Sequence, residues 1–156
     1  MTVAKRNASS RQALLAAVIY AIPTVGLMGQ GLLYVTTTRF MPYHAEALAT
    51  TWEALPAHHQ GFVLGVIKGM GAGSIAVTLA LAILLLVPFR RGEAWARWAI
   101  PSVGAVFASL TAYAAYTIDL RTPASTPWRE TLGLVALFGV GAAVSYWPRR
   151  SPDDNR

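Results

Sequence analysis

GFVLGVIKGMGAGSIAVTLALAILLLVPF, residues 61–89, carries a single ionisable side chain, Lys68, close to its start. A helix needs about 20 mainly apolar residues to cross roughly 30 Å of hydrocarbon, and this stretch exceeds that length. It also repeats glycine at every fourth position, Gly61, Gly65, Gly69 and Gly73. Glycine is a poor helix former in water, so the repeat has to be read in another solvent. Positions four apart drift by about 40° around a helix, which makes the four glycines one slowly winding groove, extended by Ala76 and Ala80. Lipid tails are as apolar as the side chains they surround, so helices associate there through close approach and dispersion. The stripe therefore reads as a packing face, to be occupied by a helix of this chain, by a second copy or by a flat apolar ligand.

The rest of the chain agrees with a membrane. It has 156 residues, 54% of them hydrophobic and only 13% charged, with a mean hydropathy of +0.44. The expected fold is an all-α polytopic bundle of four transmembrane helices, at about 12–34, 61–89, 98–118 and 128–147, within one domain, 12–147. A short segment, 1–11, precedes it and a polar tail, 148–156, comes after. The first apolar block is longer than the roughly 7–15 residues of a signal-peptide core, so it is expected to remain as an anchor.

Basic residues set the expected orientation. With the N-terminus inside, Lys5, Arg6, Arg11, Arg90, Arg91, Arg97, Arg149, Arg150 and Arg156 are cytoplasmic, and Arg39, Lys68, Arg121 and Arg129 are outside. Nine against four is a positive-inside bias, which predicts a multi-pass protein of the inner (plasma) membrane with both termini cytoplasmic. Topology and contact with anionic headgroups account for the net charge of +6 without nucleic acid. The lipid bilayer is the first expected partner, and a homo-oligomer or larger membrane complex the second.

Two places offer polar chemistry. Lys68 lies about 30 Å before Pro88 at 1.5 Å per residue, near the outer surface. A lysine that snorkels to water is the plainer reading; Gln30 and Asp119 fall at a similar depth, so a Gln30–Lys68–Asp119 cluster, as a clasp or a ligand site, is the sharper expectation. The connection 36–60 is long, and between Pro42 and Pro56 it reads as an amphipathic helix with Ala45, Leu48, Ala49, Trp52 and Leu55 on one face. It also holds every histidine of the chain. His44, Glu46, His58 and His59 have the side chains a metal needs, but their spacing matches no zinc motif, and solvent-facing histidines are the plainer reading.

Absences narrow the chemistry. With no cysteine, the chain has no thiolate for an iron–sulfur cluster or for disulfide exchange. The spans contain no histidine to ligate a transmembrane bis-histidine haem, and no phosphate loop or nucleophile elbow is present. Between the two interfaces no ionisable residue forms a proton path.

PFRRGEAWARWAIP, residues 88–101, joins the second and third expected spans through an arginine turn and then two tryptophans. With the size and four-helix layout, this resembles small bacterial integral membrane proteins of the DoxX-like kind. The resemblance implies a four-helix bundle and transfers no catalytic residue. Three functional classes are open: a non-catalytic accessory subunit or self-associating bundle; a binder or carrier of a small apolar molecule (lipid, quinone or pigment) admitted from the outer leaflet; and an enzyme using the outer histidines and Glu46.

Overall fold

The computed structural model describes residues 3–146, with side chains from Arg11 onward. The final residue of the fourth expected helix, Trp147, and the tail 148–156 lie outside the described residues. The elements are α1 (Val3–Thr36), α2 (Pro42–Leu48), α3 (Ala57–Leu84) ending in a π-turn (Leu85–Phe89), α4 (Ala96–Arg121) and α5 (Trp128–Tyr146). The protein is an all-α helical bundle.

Among the described residues, three helical segments are long and apolar enough to cross a bilayer, Arg11–Thr36, Ala57–Phe89 and Ala96–Arg121. The fourth expected span differs for a physical reason. Within its described length of 19 residues, α5 has Arg129 and Glu130 in its first turn. Together the three segments make the chain a polytopic membrane protein.

α1 packs on both α3 and α5, and α4 packs on α5. The remaining seam, α3 against α4, is the sparsest of the four neighbouring pairs. At the seams, close approach depends on glycine. A Cβ on Gly31 would lie 3.0 Å from the Gly71 carbonyl oxygen, and one on Gly71 would lie 2.8 Å from that of Gly31, so α1 and α3 cross backbone to backbone. Gly104 lies beneath the Phe138 ring, and a Cβ on Gly141 would come within 2.5 Å of Tyr20. The stripe read from the sequence is elsewhere. Gly61, Gly65, Gly69 and Gly73 are exposed, and a Cβ added to any of them would meet nothing within 4 Å, so no other described helix is seated on this stripe. The buried face of α3 is Ile67, Gly71, Ser74, Thr78 and Leu81.

Pro88 cannot donate a backbone hydrogen bond, and the chain accommodates it in the wide π-turn rather than by ending the helix. This turn buries Phe89, whose ring meets that of Tyr20 edge-on at 5.8 Å. Gly92, at φ 78°, then reverses the chain.

At the other end of the bundle, residues 40–56 fold back as a roof. The amphipathic helix expected between Pro42 and Pro56 is shorter than that. It stops at Leu48, and Ala49 takes a left-handed conformation at φ 49°. The expected face is therefore split. Ala45, Trp52 and Leu55 pack with Tyr34, Phe40 and Ile67, whereas Leu48 is 50% exposed. Phe40 and Trp52 meet edge-on at 5.2 Å. The Gln60 side chain straps the roof to α3, donating to the carbonyls of Trp52 at 2.9 Å and Leu55 at 3.0 Å.

Candidate ligand cleft

Under this roof the helices enclose open space. A cavity of about 90 Å³ is bounded by Gln30 and Tyr34 of α1, Tyr43 and His44 of α2, and Thr111 of α4 with Thr131 of α5. Beside it runs an apolar groove of about 370 Å³, walled by Phe62, Val63, Val66 and Ile67 of α3 and by Leu48 of α2. His44, Met70 and Ile118 belong to the walls of both. The two spaces are thus adjoining compartments, one almost wholly apolar and one in which several polar groups interrupt an apolar lining.

Each polar wall has a local origin. Pro42 opens α2, and the next two residues, Tyr43 and His44, bring their side chains over the bundle. The Tyr34 and Tyr43 hydroxyls are 2.5 Å apart. Burial and the neighbouring Tyr34 hydroxyl push the Tyr43 phenol well above its ordinary value of 10.0, so it stays protonated. His44 Nδ1 accepts a hydrogen bond from the Met41 backbone N–H at 3.1 Å. Burial lowers the His44 imidazole below its ordinary 6.5. The neutral ring with its proton on Nε2 satisfies both observations.

The connection between α4 and α5 forms the far wall. Asp119 Oδ1 accepts from the Thr126 N–H at 2.7 Å and the Thr126 hydroxyl at 2.6 Å. This pair of bonds fastens Thr126 against the cavity. The Thr111 and Thr131 hydroxyls donate to the carbonyls of Phe107 and Pro127, each at 2.9 Å, and turn their lone pairs to other partners. Gln30 lines the cavity, half-buried, and its amide has no hydrogen-bond partner among the described residues.

No hydrogen bond joins Gln30, Lys68 and Asp119 to one another among the described residues. Lys68 Nζ donates to the Val35 carbonyl at 2.7 Å, where it meets the unsatisfied, partly negative C-terminal end of α1. Asp119 is engaged by Thr126, and Gln30 alone of the three reaches the cavity. The histidines of the 36–60 connection also separate. His44 enters the cleft; His58 and His59 are exposed at the start of α3, their rings 4.2 Å apart; and Glu46 faces solvent. Among the described residues no three His, Cys, Asp or Glu side chains are grouped to hold a metal ion.

Tyr34, Tyr43, Thr111, Thr126 and Thr131 escaped the sequence reading. Tyr34 reads as an interfacial ring, and threonines within spans read as helix residues bonded to their own backbone. Only the Pro-Tyr-His run at 42–44 carried a local signal, a proline-started helix displaying two polar rings. No family model, curated protein or solved structure matches this chain, so the DoxX-like resemblance rests on residues 88–101 and the helix layout alone.

Proposed function

We propose that this is a non-catalytic protein of the inner membrane that binds a small apolar molecule, admitted from the outer leaflet into the α3–α4 cleft. In this reading α5 is the fourth span and both termini are cytoplasmic, in keeping with the nine-to-four distribution of basic residues. The observation that carries it is the pairing of an apolar groove of about 370 Å³ with a polar cavity through shared walls. Binding sites for small molecules are typically concave and mostly apolar, with a few convergent polar groups. The test is extraction of the purified protein, with mass spectrometry of what it releases. Met70→Trp, which fills the shared wall, should abolish a stoichiometric bound species. Leu79→Trp, at an exposed site on α3, should retain it. Equal recovery from both variants would refute binding in the cleft. A reporter active only in the cytoplasm, fused after Arg156, should give signal if the orientation is right.

A second reading, a self-associating bundle or accessory subunit, is favoured by the exposed glycine face of α3. Gly61, Gly65, Gly69 and Gly73 leave it smooth and uncovered, as helix–helix contacts in lipid prefer. The two readings use different sides of α3 and are compatible.

A further inference from the structure

We infer that the molecule in this cleft is a neutral amphiphile: an apolar tail in the groove and a small, uncharged, oxygen-bearing head in the cavity, held by Gln30 and the Tyr34–Tyr43 pair. The inference rests on the reading that the cleft binds an apolar molecule, and it specifies the chemistry of the end that enters deepest.

Four observations support it. First, the cavity has unused hydrogen-bonding capacity of a particular kind. The Gln30 amide has no partner among the described residues and offers two donors and an acceptor. One hydroxyl of the Tyr34–Tyr43 pair donates to the other, which leaves the second proton for a ligand. Thr111 and Thr131 have committed their protons to helix carbonyls and can only accept. A carbonyl or hydroxyl oxygen matches this set.

Second, no lysine, arginine, aspartate or glutamate lines either compartment. Lys68 is held on Val35, and Asp119 on Thr126. A phosphate, carboxylate or ammonium head would lose its water there and gain no counter-charge, an arrangement that strongly disfavours the charged form. The ring and phenol that do line the cavity are neutral at pH 7, because burial lowers His44 and raises Tyr43.

Third, size limits the head. The compartment bearing the polar groups holds about 90 Å³ against about 370 Å³ for the groove, so the head is the smaller end of the molecule. Fourth, the apolar compartment lies directly beside the polar one, as a tail joined to such a head requires. The shared chemistry, a neutral oxygen on an apolar chain, is common to lipid alcohols and lipid-soluble quinones, and the probes below separate these sources.

The full chain would be reconstituted in nanodiscs and titrated with four compounds that share a decyl tail: 1-decanol, a decyl-substituted benzoquinone, decyl phosphate and decyltrimethylammonium. Decane serves as a tail-only reference. At least one neutral probe should bind about tenfold more tightly than both charged ones, as expected for a net hydrogen bond near 1.4 kcal/mol. The stronger of decanol and quinone identifies the source. Gln30→Leu and Tyr43→Phe should each remove most of that preference and leave decane binding intact, which also shows that the cleft still folds. If a charged probe binds as tightly as the neutral ones, or if both variants keep the full preference, the neutral-head inference is wrong while the cleft reading stands. If neither decane nor any headed probe binds, or if Met70→Trp leaves their binding unchanged, the cleft reading fails and the inference falls with it.

Discussion

The two ends of this bundle solve the same packing problem with opposite materials. Near the π-turn, aromatic rings fill notches left by glycine: Phe138 over Gly104, Tyr20 against Gly141, and Phe89 edge-on to Tyr20. At the end covered by α2, hydroxyls, an amide and an imidazole surround open space. In the first arrangement the rings sit directly on the glycine backbones and leave no gap between them. The second tolerates a void because its polar groups can be served by water or ligand. Within one short bundle, rigidity and vacancy have been placed at opposite ends. The comparison shows where a site can be built in a membrane protein: beside a seam that is loose, above one that is not.

The largest effect should come from filling a notch at the dense end. Gly104→Leu forces a side chain into the Phe138 ring, and overpacking of this kind destabilises by about 1–3 kcal/mol. Thermal unfolding in detergent would be compared with Gly73→Leu, where an added Cβ meets nothing within 4 Å. Equal stability of the two variants would mean that the dense end is not dense.

Next comes the polar end, probed by pH. The folded value of His44 is lowered by burial from 6.5, so folding favours its neutral form. That contribution is fully present above 6.5 and is lost as pH falls through the lowered folded value. Protonation also places a proton on Nδ1, which can then no longer accept from Met41. Acidification below about pH 6.5 should therefore loosen α2 and shift the emission of Trp52, packed on Phe40. His44→Gln should abolish this shift, whereas the exposed His58 and His59 should leave it unchanged when replaced. An identical acid response in His44→Gln would remove His44 from the roof's stability.

A smaller effect is expected from Lys68→Met. Its bond to Val35 is exposed, and such surface interactions contribute below about 1 kcal/mol. Because Lys68 and Asp119 have separate partners, Lys68→Met and Asp119→Ala should be additive in thermal unfolding. Recovery in the double variant would instead revive the direct pair expected from sequence.

The smallest effect on the chain's own stability should come from Gly65→Leu, on the open face of α3. Its unfolding should match that of Ala82→Leu, a control on the same helix. Self-association, measured by cross-linking in nanodiscs, should weaken if a second copy uses this face. Unchanged cross-linking would leave the stripe to lipid.

How much of this was legible depends on one property of the solvent. The all-α, membrane-crossing character and a short helix started by Pro42 could be read, because apolar length and proline positions survive in any medium. The inward face of α3 could not. In water, the contrast between polar and apolar sides tells a helix which way to turn. In lipid both sides are apolar, and a regular glycine stripe marks a smooth face without saying whether it points in or out. The glycines that do the packing, Gly31, Gly71, Gly104 and Gly141, stand on four different helices and share no spacing. The cavity was hidden for another reason. Tyr34 and Tyr43 meet only after the chain has turned back at Phe40, a geometry that no periodicity records.

The π-turn at Leu85–Phe89 can also be viewed as a matter of counting. A wide turn holds one residue more than the α-helical turn it replaces, so α3 ends with what amounts to a single-residue insertion. Every side chain beyond it is set in phase by that extra residue. Removing one residue from 85–89 would restore a regular helical repeat and rotate the downstream backbone by about 100°, carrying Phe89 off the edge of Tyr20. The extra residue thus acts as a register mark, setting where the second long helix stops winding and where α4 begins its return.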